Sequence, residues 1–262
     1  MSIALGNAST GMGAMQDLTN VVTGNIANMK TTAFKEKVAL FATLMSIDKT
    51  RVGSLTATTG ERVPVGVQIG LGVQMQAVSP ILTPGTPVQT ENPYHIMIQG
   101  PGFFQIDLPS GDIAYTRAGT FEVNENGVIV TQEGNTLVPG ITIPSDAQWV
   151  KVNAAGEVFA KIPGNPTPQS VGQLELATFA NPAGLEALDN NMFLETASSG
   201  APIVGTPNTD GFGKLLQHWY EGSNVNSVKA ITDLIEAQRA FEMNSKSAKT
   251  ADEMEKQLNS LA

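Results

Sequence analysis

The sequence predicts an α+β chain, with a helix at each end and an antiparallel all-β domain between them. Three observations carry that expectation. Apolar residues recur at helical spacing in both termini, strand and turn patterns fill the middle, and 26 glycines and 15 prolines in 262 residues require many turns. With 41% hydrophobic and 15% charged residues, the chain has enough apolar material to bury at least one core.

Residues 1–30 form the first segment. Met12, Met15, Leu18, Val22, Ile26 and Met29 follow one another at steps of three or four, which places them on one helical stripe. Asp17 is the only formally charged side chain up to Met29. A helix without a charged outer face expects neighbours on several sides. Gly6, Gly11, Gly13 and Gly24 each cost about 1 kcal/mol of helix stability against alanine, so they are candidates for close helix approach or for simple fraying. Asn25 and Asn28 are candidates to satisfy buried backbone groups, with ordinary capping as the competing reading.

Residues 31–65 read as a linking stretch: a short helix or hairpin around Phe34, Val38, Leu40, Phe41, Leu44 and Met45, then a flexible loop over residues 50–60. Residues 66–220 form the β domain. Alternation through Val65, Val67, Ile69, Leu71, Val73 and Met75 predicts one strand weakened by glycines. Further strands are predicted over 94–98, 103–106, 113–117, 121–123, 128–130, 141–143, 149–152, 156–162 and 173–179. Asn124-Glu125-Asn126-Gly127 supplies a hairpin turn, and the prolines of 163–168 interrupt any sheet.

Residues 221–262 close the chain with a second helix. Val228, Ile231, Leu234, Ile235, Phe241, Ala248, Ala251, Met254, Leu258 and Leu261 recur mostly at steps of three, four or seven. Glu242 with Lys246 and Asp252 with Lys256 are spaced for ion pairs on the other face. Asn224 or Ser227 is placed to cap its start. Such a helix over 225–262 is about 57 Å long at 1.5 Å per residue, and it needs partners on several sides to become ordered.

The chemistry of catalysis is hard to find. Without cysteine there is no disulfide, thiol nucleophile or cysteine-zinc site, and His95 and His218 are the only histidines. No Gly-x-Ser-x-Gly elbow surrounds any serine, and neither Gly70-Leu71-Gly72 nor Gly100-Pro101-Gly102 has the third glycine of a dinucleotide loop. No cofactor and no metal are expected. The net charge of −9 argues against nucleic acid. Residues 66–220 alone carry −9, whereas residues 30–65 carry +3, a contrast that favours electrostatic docking between copies. No apolar run approaches a membrane span, so membrane insertion is not expected, and residues 1–29 lack the pattern of a cleaved signal peptide.

Gly24-Asn25-Ile26-Ala27-Asn28 followed by Thr31-Thr32-Ala33-Phe34-Lys35 resembles the N-terminal signature of bacterial flagellar rod and hook proteins. The resemblance continues through Ile98-Gln99-Gly100-Pro101-Gly102-Phe103-Phe104, Tyr115-Thr116-Arg117-Ala118-Gly119-Thr120-Phe121, Ser198-Ser199-Gly200-Ala201-Pro202, Glu221-Gly222-Ser223-Asn224-Val225-Asn226 and Gln238-Arg239-Ala240-Phe241-Glu242-Met243-Asn244-Ser245-Lys246. Ala33 stands where the family commonly has glycine, and Met29-Lys30 replaces a more usual small-polar pair. Length and order of landmarks are most like the distal rod subunit, with a proximal rod or hook subunit as the alternative within the family.

The resemblance implies that the two terminal helices pair as a coiled coil lining the inner tube of a helical filament, with the β domain outside. It implies self-assembly into a hollow drive shaft that passes motor torque to the hook, and contacts with proximal rod proteins, hook or junction subunits and the surrounding P- and L-rings. It also implies export by the flagellar type III apparatus and residence in the basal body, in the rod that crosses the periplasm. The apolar positions Met12, Met15, Leu18, Val22, Ile26, Met29, Val228, Ile231, Leu234, Ile235, Phe241, Ala248, Met254, Leu258 and Leu261, with Asn25 and Asn28, are the expected packing residues. Phe34, Lys35, Phe41 and Leu44 are those of the linking stretch. A carbohydrate-binding β domain or hydrolase with accessory helices, and a secreted adhesin, are the readings from other classes.

Overall fold

A computed structural model describes residues 3–51, 65–164 and 167–261. Most of the loop expected over residues 50–60 lies outside them, as do Asn165, Pro166 and the side chain of Leu261. The chain divides into two compact units, one of Met1–Ala27, Lys37–Ser79 and Asn226–Ala262, the other of Asn28–Glu36 and Pro80–Val225.

In the first unit two helices, α1 (Ile3–Ala27) and α2 (Ser227–Leu261), pack against each other. Hydroxyls of Thr10, Thr19, Thr232 and Thr250 donate to carbonyls one turn back, which lets polar residues sit inside both helices without an unmet donor. Asn226, rather than Asn224 or Ser227, caps α2: its Oδ1 accepts from the amides of Val228 (3.0 Å) and Lys229 (3.2 Å). The Asn224 amide is committed to carbonyls of Ile81 and Thr83 in the other unit's own framework. Of the expected ion pairs, Asp252–Lys256 forms at 2.6 Å on the exposed face of α2. No helix among the described residues is long and apolar enough to cross a membrane.

The linking stretch differs from the expected short helix or hairpin. Lys37–Thr43 and Ser46–Thr50 are strands that pair with Val73–Pro80 and Val67–Gly70 rather than with each other. The local chain does not reverse between them, because the Leu44 amide is drawn to the Gly72 carbonyl (2.9 Å). Gly72 also divides the single strand read from the alternation over 65–75. Its φ of +118° is a conformation side chains rarely adopt, and a Cβ there would collide with the Thr10 hydroxyl.

In the second unit the described strands pair antiparallel, with single 3-10 turns at Pro182–Gly184 and Asp189–Asn191. Its main sheet has seven strands in the order Glu186–Ala187, Met192–Leu194, Ile113–Thr116, Phe104–Asp107, Thr136–Leu137, Ile129–Val130 and Glu122–Val123. The predicted hairpin closes with Ile129 opposite Val123, and Asn124 Oδ1 accepts from the amides of Asn126 and Val128. A three-stranded sheet joins Trp149–Val152, Glu157–Lys161 and Gln169–Gln173, while Ile96–Gln99 pairs with Lys214–Gln217 and Pro87–Gln89 with Trp219–Glu221. Ile141 to Ile143 is not a strand; Thr142 makes an isolated bridge to Val128.

Alternation decides which side chains go inside. Ile96, Ile98, Phe104, Ile106, Val150, Val152 and Val158 point into one apolar core with Leu174 and Leu176. On the opposite face Phe103, Tyr115, Phe179 and Phe193 form a smaller aromatic cluster with rings meeting edge to face.

Candidate assembly interface

The seam between α1 and α2 is made of small residues. Ala8, Gly11, Ala14, Val22 and Asn25 are buried on α1. On α2, Ala230, Ala237 and Ala251 are buried, and with Asn244 they recur every seventh residue, the period of a supercoiled pair. Gly11 faces Asn244 so closely that a Cβ would stand 2.8 Å from the amide nitrogen. Of the four glycines considered for close approach it alone meets a neighbour there; Gly6, Gly13 and Gly24 have open space where a Cβ would be.

The stripe read from sequence lies beside this seam. Val22 and Asn25 are buried, whereas Met12, Met15, Leu18, Ile26, Asn28 and Met29 are half-buried. On α2, Leu234 and Ala248 are half-buried, but Val228, Ile231, Ile235, Phe241, Met254 and Leu258 are exposed, Val228 at 73% and Leu258 at 67%. Weighting by hydrophobicity finds the large side chains and overlooks that the residues nearest the axis of a close pair must be small. In the linking stretch Phe34 and Lys35 are buried, Leu44 is half-buried and Phe41 is exposed. Leu40, Phe41, Met45, Ile47, Val67 and Val78 add further exposed apolar surface to the same unit. Among the described residues, both buried apolar clusters belong to the other unit.

Asn25 closes α1 against the first strand. Its Nδ2 donates to the Lys37 carbonyl (2.8 Å) and its Oδ1 accepts from the Lys37 amide (2.9 Å), the two bonds a neighbouring strand would supply.

Inside the β unit lies a buried ionic cluster. Glu221, fully buried, receives Lys35 Nζ and the Gly85 amide (2.8 Å) on Oε1 and Arg117 Nε (2.9 Å) on Oε2. Arg117 also donates to the carbonyls of Gly102 (3.1 Å) and Gly100 (2.9 Å), and its guanidinium lies 5.8 Å from the Phe103 ring centre. Lys35 Nζ donates a second bond to the Thr83 carbonyl (2.9 Å). Burial alone would raise the Glu221 carboxyl, but Arg117, Lys35 and the Gly85 amide hold it below its ordinary value of 4.5. Lys35 had counted toward the basic surplus of residues 30–65; its charge is internal, so the surplus available for docking is smaller.

Sequence reading missed this cluster because nothing in spacing links positions 35, 117 and 221. The signal that was present is their placement in three separate motifs of the flagellar signature, which fold to one point. Ala33, beside Lys35, adopts φ +56°, a region glycine enters freely. His95 has its ring nitrogens engaged by Thr90 and Asn92, and its ring edge meets Tyr220.

Two family models match the chain: the flagellar hook protein FlgE/F/G D1 domain over residues 97–160 and the flagellar basal body rod FlgEFG protein C-terminal region over residues 216–261. The flagellar basal-body rod protein FlgG of Caulobacter vibrioides is 49% identical over 251 residues, covering 96% of each chain. The protein of the same name from Agrobacterium fabrum is 45% identical, again over 96% of each. Flagellar basal-body rod protein FlgF of Salmonella typhimurium is 29% identical over 96% of each.

Proposed function

This chain belongs to the FlgG family of flagellar basal-body rod proteins, and from that membership we propose how it works as a structural subunit of the distal rod. The observation that carries the reading is the separation of two kinds of burial. The β unit encloses its own core, whereas the helix pair is held by an alanine and glycine seam and leaves its largest apolar side chains outside. A buried methylene contributes about 0.8 kcal/mol and a buried leucine or isoleucine about 1.5–3 kcal/mol, so most of the apolar surface that could stabilise the helices is still in water. Copies of the same chain supply the missing cover.

In this reading Val228, Ile231, Ile235, Phe241, Met254 and Leu258 meet helices of neighbouring subunits as the chain polymerises helically into a hollow shaft. Torque passes along the packed helices and through the apolar ribbons that carry Leu40, Phe41, Ile47 and Val67. The chain takes its place in the flagellar basal body with other rod and hook components. Passage through the P- and L-rings, the periplasmic position and delivery through the type III apparatus belong to the same proposal. The role is load-bearing, with no reaction of its own.

Electron microscopy of the purified full chain, with a control lacking both terminal helices, tests it. Filaments from the full chain and none from the control are expected. A full chain that stays monomeric at high concentration, or a control that still polymerises, refutes the reading.

A further inference from the structure

The chain crosses between the β unit and the helical unit at four points: before Asn28, after Glu36, before Pro80 and after Val225. Within the β unit, the residues next to the last three of these crossings are tied together. The Ala33 amide donates to the Glu221 carbonyl (2.8 Å), and the Ile81 amide to the Glu36 carbonyl (2.7 Å). Asn224 accepts from the Glu36 amide (2.6 Å) and donates to the Ile81 carbonyl (2.8 Å). Lys35 reaches both other stubs with a charged side chain, through Glu221 and the Thr83 carbonyl.

We infer that Lys35 is a positioning residue for assembly. Through Glu221 and Thr83 it fixes together three of the four stubs by which the chain passes to the helix-bearing unit. The inference rests on the rod reading, since a load can pass between the units only through connections that do not swivel. Neutral hydrogen bonds alone would hold these stubs weakly, whereas bonds to a buried charge are roughly twice as strong. A fully enclosed carboxylate is also reluctant to release a cation into water, so the tether resists opening.

Charge counting separates positioning from stability. The cluster holds two cations and one carboxylate, so Lys35→Met leaves Arg117 and Glu221 as a balanced pair. That variant should keep the β core intact and release only the stubs. Hydrogen exchange of the full chain should show the amides of Ala33, Glu36 and Ile81 opening about tenfold faster or more, with those of Phe104, Ile106 and Val158 unchanged. Sedimentation and microscopy of the same sample should show several-fold less polymer at equal concentration.

Stub amides as slow as in the wild type, or wild-type polymer yield from K35M, overturn the inference alone. A wild-type chain that never polymerises overturns the rod reading and the inference with it. Should K35M not fold, Asn224→Ala cuts the Glu36 and Ile81 tethers without touching a charge and carries the same expectation.

Discussion

Replacing Glu221 by glutamine should destabilise the β unit sharply, because it removes the one carboxylate that two buried cations share. Glu221 has no solvent access, and its oxygens receive Lys35, Arg117 and the Gly85 amide. A glutamine presents one acceptor and turns its NH2 toward a cation. Breaking a buried pair from one side costs about 3–5 kcal/mol. At 2–4 °C per kcal/mol for a unit of this size, the melting point should fall by roughly 6–20 °C. The sign with pH follows from the depressed carboxyl: its contribution is present above 4.5 and is lost as pH falls through the lower folded value. Thermal melts followed by circular dichroism from pH 7 to pH 3 therefore have two expected results, a lower melting point for E221Q at pH 7 and convergence with the wild type in acid. A loss below about 1 kcal/mol at pH 7, or a gap that persists unchanged to pH 3, refutes the account of the cluster.

Five further outcomes are expected. Gly11→Leu should force α1 from α2 at Asn244 and abolish polymer, while Gly13→Ala, with open space for its methyl, should stabilise α1 by up to about 1 kcal/mol in helix content measured by circular dichroism. Ile231→Ser with Ile235→Ser should leave the melting of the β unit unchanged and raise the concentration needed for polymerisation about tenfold or more, read by sedimentation. Asn226→Ala should cost about 1 kcal/mol and speed hydrogen exchange at Val228 and Lys229. Light scattering should show assembly slowing as salt is raised, since Lys30, Lys37 and Lys49 are exposed cations and residues 66–220 are net acidic; rates indifferent to ionic strength would remove electrostatics from docking.

The fold was legible wherever a local period decides it. The two helices and strands such as Trp149–Val152 and Ile113–Thr116 follow from alternation or three-and-four spacing, because burial on one face imposes that pattern directly. Pairing between distant segments was not legible. Nothing at Lys37–Thr43 announces that its partner is Val73–Pro80, and the bond from Leu44 to Gly72 that directs the chain there is a backbone contact blind to side-chain type. The seam was legible only at Gly11 and Ala251: Ala8, Ala14, Ala230 and Ala237 carry little hydrophobic weight, yet closeness rather than hydrophobicity selects them. Lys35 was legible as a residue of the linking stretch but its buried partner was not, and lysines are usually exposed, so only its meeting with Glu221 makes burial tolerable.

The two units therefore answer to different controls. Order in the β unit is intrinsic: its apolar core is enclosed by residues of the same chain, and its buried cations both pair with a carboxylate inside it. In the proposed reading order in the helices is borrowed, because the α1–α2 seam buries mainly methyl groups while isoleucine, methionine and leucine stay in water. A subunit built this way can fold one part before it meets a partner and leave the stabilisation of the other to the growing end. Each added copy then covers the exposed stripe of the last, so helix order and polymer length rise together. Helicity measured across a concentration series should climb with polymer mass and not before it; full helicity in dilute monomer would mean that the seam alone suffices.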